Sequence, residues 1–146
     1  MEARVALVRE TVYAALFTRL QAIPGLKLTS RRVKSINDVP ANLFPALFLA
    51  QTFQRPIYEA GRVTQWELGA DVYIYAFDRA GQNPGGIMNP LMDALTTALA
   101  FDNIMNNACT LGGLALKCEI GPVETDEGTM GEQAIVRAPI TILCRG

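Results

Sequence analysis

The residue types that usually carry out acid–base chemistry are poorly represented in this sequence of 146 residues, which contains no histidine. Histidine is the commonest general base, the usual activator of serine and cysteine nucleophiles, and a frequent ligand of catalytic zinc. Its absence argues against all three kinds of site. Chemistry based on carboxylates alone remains open.

Carboxylates are therefore the remaining candidates for catalysis or metal binding. Most are scattered along the chain, which favours solvated surface positions. Asp71 is the exception, because it lies in the middle of a strongly patterned strand and needs solvent, a partner or a cation there. Glu67 falls on the same strand face, and we expect both carboxylates to meet arginines of a neighbouring copy. The alternative is a small metal-dependent enzyme, such as a nuclease, with Glu67 and Asp71 among its ligands.

Cysteine and glycine patterns give no sign of a cofactor. Cys109, Cys118 and Cys144 lack the CxxC spacing of a metal knuckle or redox motif, so buried free thiols in a reducing compartment are favoured. The glycine-rich stretches at residues 81–86 and 110–113 match neither G-x-G-x-x-G nor GK[ST], and the second is expected to mark a bulge or a close backbone approach in a strand. The sequence predicts no catalytic residue, metal or cofactor.

Charge is balanced overall but unevenly distributed. The 13 basic and 14 acidic residues give a net charge of −1, which argues against a protein that coats DNA. Residues 1–62 carry nine basic and four acidic side chains, whereas residues 63–146 carry four and ten. A fold that interleaves the two halves removes this asymmetry, and that is the simpler expectation. The alternative is a positive surface that meets a negative surface of a neighbouring copy.

A short basic cluster, Arg31, Arg32 and Lys34, is the clearest candidate contact element. A single basic patch on a near-neutral protein favours a protein contact over a specific nucleic-acid site. Tyr73 and Tyr75 alternate along a strand, where such aromatics can stack on bases, so a monomeric nucleic-acid binder is a further alternative. Packing beneath a helix or a subunit is the favoured use of these aromatics.

Hydrophobic periodicity predicts an α+β fold with two helices on one face of a mostly antiparallel sheet, in the order α-β-β-β-α-β-β. The first helix is predicted over residues 2–21 and ends before Pro24. The second is predicted to begin with Asn89 as N-cap and Pro90 at its first position.

A long antiparallel hairpin is predicted around a turn at residues 59–62, with a tip that protrudes if its strands outrun the core. Arg55, Tyr58 and Arg62 lie near this tip and are candidate contact residues. Pro56 restricts the end of the first strand to a sheet edge. The two strands cover residues 45–58 and 66–77.

A second strand pair is predicted over residues 109–125 and 130–144, around a turn at residues 126–128. Pro139 indicates a bulge or an edge in its second strand. Because neither a repeat nor a linker divides the sequence, residues 1–146 are predicted to form one domain.

Six segments together resemble a known family and span nearly the whole chain. They read V-R-E-T-V-Y-A-A-L-F, S-R-R-V-K-S-I-N-D-V-P, F-P-A-L-F-L, W-E-L-G-A-D-V-Y-I-Y, N-P-L-M-D-A-L and T-L-G-G-L-A-L-K-C-E-I-G-P-V-E. This pattern resembles the tail terminator, or tail completion, proteins of long-tailed bacteriophages. None of the segments is a catalytic motif.

The resemblance implies a non-enzymatic virion protein that forms a hexameric ring, caps the tail tube, stops its polymerisation and joins the tail to the neck or head. The implied partners are other copies of the chain, the tail tube protein, a neck or head-completion protein, and DNA passing non-specifically through the lumen. The implied location is the virion, after assembly in the host bacterial cytoplasm. Another neck or head–tail connector component is the nearest alternative.

Arg4, Arg9 and Glu10 interrupt the N-terminal segment, so neither a signal peptide nor a membrane span is expected.

Overall fold

Two α-helices pack on one face of a six-stranded mixed sheet in the computed structural model, which describes residues 7–77, 83–126 and 133–146. The α+β class and the placement of both helices on one face are confirmed. In chain order the elements are α1 (Arg9–Gln21), β1 (Leu28–Ser30), β2 (Ala46–Glu59), β3 (Arg62–Phe77), α2 (Pro84–Ala98), β4 (Lys117–Ile120), β5 (Glu124–Asp126) and β6 (Gln133–Arg145).

The strand order across the sheet is β1-β2-β3-β6-β4, and β5 also pairs with β6. Within the described residues every pair is antiparallel except β1 with β2, which is parallel. Residues 31–45, here called the crossover segment, make that parallel connection and contain two single 3₁₀ turns. The predicted, mostly antiparallel sheet is therefore confirmed, with one more strand than predicted.

Helix α1 is held to the sheet by an apolar stripe and a buried hydrogen bond. The hydroxyl of Tyr13 donates to the carbonyl oxygen of Gly69 at 2.9 Å. The helix begins at Arg9, because Val8 has extended backbone, so the predicted start was too early for residues 7 and 8; residues 2–6 lie outside the described chain. The buried stripe consists of Val12, Tyr13, Leu16 and Leu20.

Helix α2 begins earlier than the sequence predicted. Asn83 is the N-cap, its side chain accepts a hydrogen bond from the amide of Gly86 at 2.9 Å, and Pro84 follows at the first helical position. Pro90 lies inside the helix, so the predicted start at Asn89 was wrong. The reason is the apolar stripe: Met88 is 1% exposed and already belongs to the buried face that continues through the helix.

The long hairpin formed by β2 and β3 is confirmed. Ala60 and Gly61 connect the strands with φ of 51° and 78°, the two positive values that a type I′ turn requires. On β2 the β1 ladder reaches only Phe48, and on β3 the β6 ladder begins only at Gln65. The hairpin therefore runs beyond its neighbouring strands, and Pro56 lies on a free edge, as predicted.

The strand predicted over residues 109–125 is divided into β4 and β5, and residues 109–116 are not part of a strand. The break lies opposite Pro139, whose carbonyl oxygen accepts a hydrogen bond from the amide of Gly121 at 2.8 Å but which has no N–H to donate. The register of β3 with β6 is continuous through Pro139, whereas on the other side of β6 the register shifts by one residue between β4 and β5. The predicted irregularity at this proline is therefore a bulge on the side of β4 and β5. The predicted turn at residues 126–128 begins at the end of β5, and its last two residues lie outside the described chain.

The turn of the long hairpin gives a prediction about stability. Replacing Ala60 by Asn should raise the free energy of unfolding by about 1 kcal/mol, because an ordinary L-residue is strained at positive φ and Asn-Gly suits this turn. Urea unfolding measures the change. Gly61→Ala is the matched control, and it should lower stability. A less stable Ala60→Asn variant would contradict the turn assignment.

Candidate assembly surface

The helices cover one face of the sheet, whereas the other face is covered only in part by residues that the structure describes. At one end, the crossover segment packs over Phe48 and Tyr75. Beyond it, the side chains that point away from the helices form what we call the open sheet face. Its apolar members include Phe53, Ile57 and Leu143, and its charged members are Arg55, Glu67, Asp71, Lys117, Glu119, Glu124, Asp126, Arg137 and Arg145.

The apolar centre of the open sheet face depends on a bulge in β2. Two β2 residues, Thr52 and Phe53, stand opposite Gly69 of β3. A Cβ atom on Gly69 would overlap the ring of Phe53, so the glycine allows this ring to lie flat against the sheet. Phe53 remains 45% exposed. A shallow groove of about 470 Å³, lined in part by Ile57 and Leu143, crosses the same face.

Ion pairs surround this apolar centre. Nε of Arg137 lies 3.1 Å from Asp71 Oδ2, and its NH1 nitrogen lies 3.3 Å from Glu124 Oε2. Arg55 pairs with Glu67 at 2.8 Å. Lys117 and Glu119 form a further exposed pair at 3.1 Å.

Glu67 and Asp71 do lie on one strand face, as the sequence indicated. The arginines that meet them in the structure are Arg55 and Arg137 of the same chain. Asp71 is only 6% exposed, and burial of a carboxylate at that level requires such a partner. Contact with arginines of a neighbouring copy stays a prediction.

The basic segment, residues 31–34, follows β1 at the opposite edge of the sheet. Arg31 is held by both carboxylate oxygens of Glu10, at 2.5 and 3.0 Å. Arg32 and Lys34 are exposed, and in the described part of the chain neither forms a salt bridge. The Tyr75 hydroxyl donates to the Lys34 carbonyl oxygen at 2.9 Å, which fixes the backbone of the segment.

The hairpin tip contains the other predicted contact residues. Tyr58 is 64% exposed and Arg62 is exposed beside the turn. Arg55 is bound to Glu67 and so belongs to the open sheet face. The eight predicted residues therefore occupy three separate places: the basic segment, the hairpin tip and the open sheet face. Their role as contacts remains a prediction.

The opposite charges of the two halves are partly interleaved by the fold. β2 and β3, which come from different halves, are paired along most of their lengths. The Arg19–Asp102 pair at 2.5 Å and the Arg55–Glu67 pair each join the positive half to the negative half. The simpler expectation from charge is thus met in part, and the exposed residues Lys27, Arg32, Lys34 and Arg62 of the positive half form no salt bridge within the described chain.

The sequence did not predict a loop at residues 101–116 that is organised around Asp102. This carboxylate accepts hydrogen bonds from the amide and hydroxyl of Thr110 and from the amide of Gly112, and pairs with Arg19. The expected bulge at residues 110–113 is instead a turn, with positive φ at three successive residues that include two glycines. The loop exposes Ile104 and Met105, at 88% and 94%.

The cysteines are buried free thiols, as predicted. Burial raises the pKa of Cys118 to about 12, so it is not a thiolate nucleophile near neutral pH. Among residues 7–77, 83–126 and 133–146, no group of three or more His, Cys, Asp or Glu side chains is placed to hold a metal ion. No helix in the described chain is long and apolar enough to cross a membrane.

The chain is similar in fold to solved structures of the small two-layer α+β class. A chain from the virion of a native gene transfer agent particle matches with a TM-score of 0.54 and 9% identity, covering 91% of this chain and 93% of that one. A second solved protein, whose name describes no activity, matches with a TM-score of 0.52 and 17% identity over 97% of both chains. At these identities the likeness is one of fold. No protein-family model and no curated protein matches the sequence.

The Asp102 loop predicts a pH-dependent contribution to stability. Burial acts to raise the pKa of Asp102, but the hydrogen bonds from Gly112 and Thr110 and the charge of Arg19 outweigh it and hold that pKa well below its ordinary value. The stabilisation is therefore complete above the pKa of the unfolded chain and is lost as the pH falls through the native pKa.

Asp102→Asn should lower the free energy of unfolding at pH 7 by about 1 kcal/mol, a value reduced for the exposure of the site. The difference from the wild type should shrink between pH 4 and pH 2, as measured by urea unfolding. Asp93→Asn, an exposed substitution on α2, is the control. A difference that is constant over this pH range would contradict the role given to the carboxylate.

Proposed function

We propose that this chain is a structural virion protein that acts as a tail terminator. The observation that carries the proposal is the fold likeness to a chain of a gene transfer agent virion, which extends over nearly the full length of both chains. The sequence resemblance to tail terminators of long-tailed phages, carried by six segments along the chain, supports the same assignment independently.

In this proposal copies of the chain form a ring of six that caps the tail tube and ends its polymerisation. The ring joins the tail to a neck or head-completion protein, and DNA passes through its lumen without sequence-specific contacts. A ring needs a heterologous contact, in which two different surfaces of one chain meet on successive copies. The basic segment and the open sheet face are two such surfaces.

The described residues favour assembly over catalysis. In the metal-dependent alternative Glu67 and Asp71 would bind a cation, yet their carboxylates are bound to Arg55 and Arg137. An arginine at such a position repels a divalent cation. The nearest remaining alternative is another neck or head–tail connector component, which would share ring assembly but bind elsewhere in the particle.

The test combines mass measurement with capping of tubes. Light scattering and negative-stain imaging should find a ring of about six copies, and adding it to polymerising tail tube protein of the same particle should yield shorter tubes with a ring at one end. Binding to a portal complex but not to tubes would favour the connector alternative. A protein that stays monomeric and does not associate with tubes would contradict the tail terminator assignment.

A further inference from the structure

We propose that the open sheet face of one copy binds the basic segment of the next copy, an inference that rests on the proposed ring. The open sheet face has an apolar centre and a charged rim, which is the usual pattern of a protein–protein interface. Phe53 and Leu143 lie in that centre, and in the described part of the chain the groove that crosses β6 from β3 to β4 is open.

The part of the rim around Arg137 carries surplus negative charge. Within the described chain this single cation pairs with both Asp71 and Glu124. The Glu124 side chain is 73% exposed, and the Glu119 side chain, further along the same edge, is 64% exposed. Both carboxylates are therefore accessible to a cation of another copy, and binding that cation requires no change in the fold.

The basic segment has the complementary pattern. Arg32 and Lys34 are exposed and form no salt bridge within the described chain, and Val33 between them is an apolar side chain with 41% exposure. In the contact, Arg32 and Lys34 would pair with carboxylates at the rim of the open sheet face, and Val33 would pack on its apolar centre. Because Tyr75 fixes the Lys34 carbonyl, the segment is held in place before it binds, which reduces the entropy lost on association.

The position of the two surfaces favours a repeating contact. β1, which leads into the basic segment, lies at one edge of the sheet, and β4 and β5, which carry Glu119 and Glu124, lie at the other. When the basic segment of one copy binds the open sheet face of a second, the basic segment of the second copy stays available to bind a third. Such a heterologous contact closes into a ring when the rotation between copies allows it.

Two charge-reversal variants test this contact. Variant A carries Arg32→Glu with Lys34→Glu, and variant B carries Glu119→Lys with Glu124→Lys. All four side chains are exposed, so both variants should fold, which thermal unfolding verifies. Alone, each places like charges across the contact, and the protein concentration needed for half-assembly should rise by at least about tenfold.

Mixing A with B in equal amounts is the decisive measurement. The acidic segment of A then meets the basic face of B, and the basic segment of B meets the acidic face of A, so alternating rings should form again. Light scattering should show assembly close to the wild-type concentration. Asp93→Lys, an exposed reversal on α2, is the control for charge change alone and should assemble normally.

Three results would overturn the contact. If A or B assembles as well as the wild type, or if the mixture fails while the wild type forms rings, the rings use other surfaces and the proposed function stands. If B forms rings but no longer binds tubes, the open sheet face belongs to the tube contact instead. A wild type that is monomeric at every concentration would overturn the proposed function together with this contact.

Discussion

Both helices of the described chain pack on the same face of the sheet, and the organisation of the chain follows from that placement. The helix-facing residues of β3 and β6 form continuous buried stripes beneath α1 and α2. Among the described residues no such layer lies on the opposite face, and the crossover segment covers the end around Phe48 and Tyr75. Beyond that end, the strands expose apolar side chains such as Phe53, which residues 7–77, 83–126 and 133–146 leave uncovered.

Charged side chains lie at both edges of this uncovered region. Arg137 stabilises the buried carboxylate of Asp71, to which the Tyr73 hydroxyl also donates a long hydrogen bond of 3.5 Å. The same guanidinium reaches Glu124, so the edge of the face keeps a surplus of negative charge. At the other edge the crossover segment, which must leave β1 to reach β2, presents Arg32 and Lys34 to solvent. The edge of the sheet at β5 is therefore acidic, and the edge at β1 is basic.

Periodicity and turn chemistry predicted what depends on local sequence, namely the fold class, the helix-side core and the long hairpin. The start of α2 was misjudged because Asn83-Pro84 and Asn89-Pro90 carry the same N-terminal signal, and only the burial of Met88 distinguishes them. The division into β4 and β5 depends on Pro139 in a partner strand, which residues 109–125 do not reveal.

The candidate surface was predictable only in part, for a similar reason. Arg31, Arg32 and Lys34 could be found as a charge cluster, and Glu67 and Asp71 as carboxylates on one strand face. The partners of those carboxylates, and the ring of Phe53 over Gly69, arise from pairing between distant strands and a bulge. These contacts are long-range and leave no mark in the neighbouring sequence.

Hydrogen exchange tests most directly the central claim, that the uncovered face of the sheet is the assembly surface. Exchange is compared between dilute, dissociated protein and concentrated, assembled protein. The account predicts slower exchange on assembly in peptides that contain the basic segment, the β2 bulge and β4 to β5. Protection confined to α1 and α2, with these peptides unchanged in the assembled protein, would contradict it.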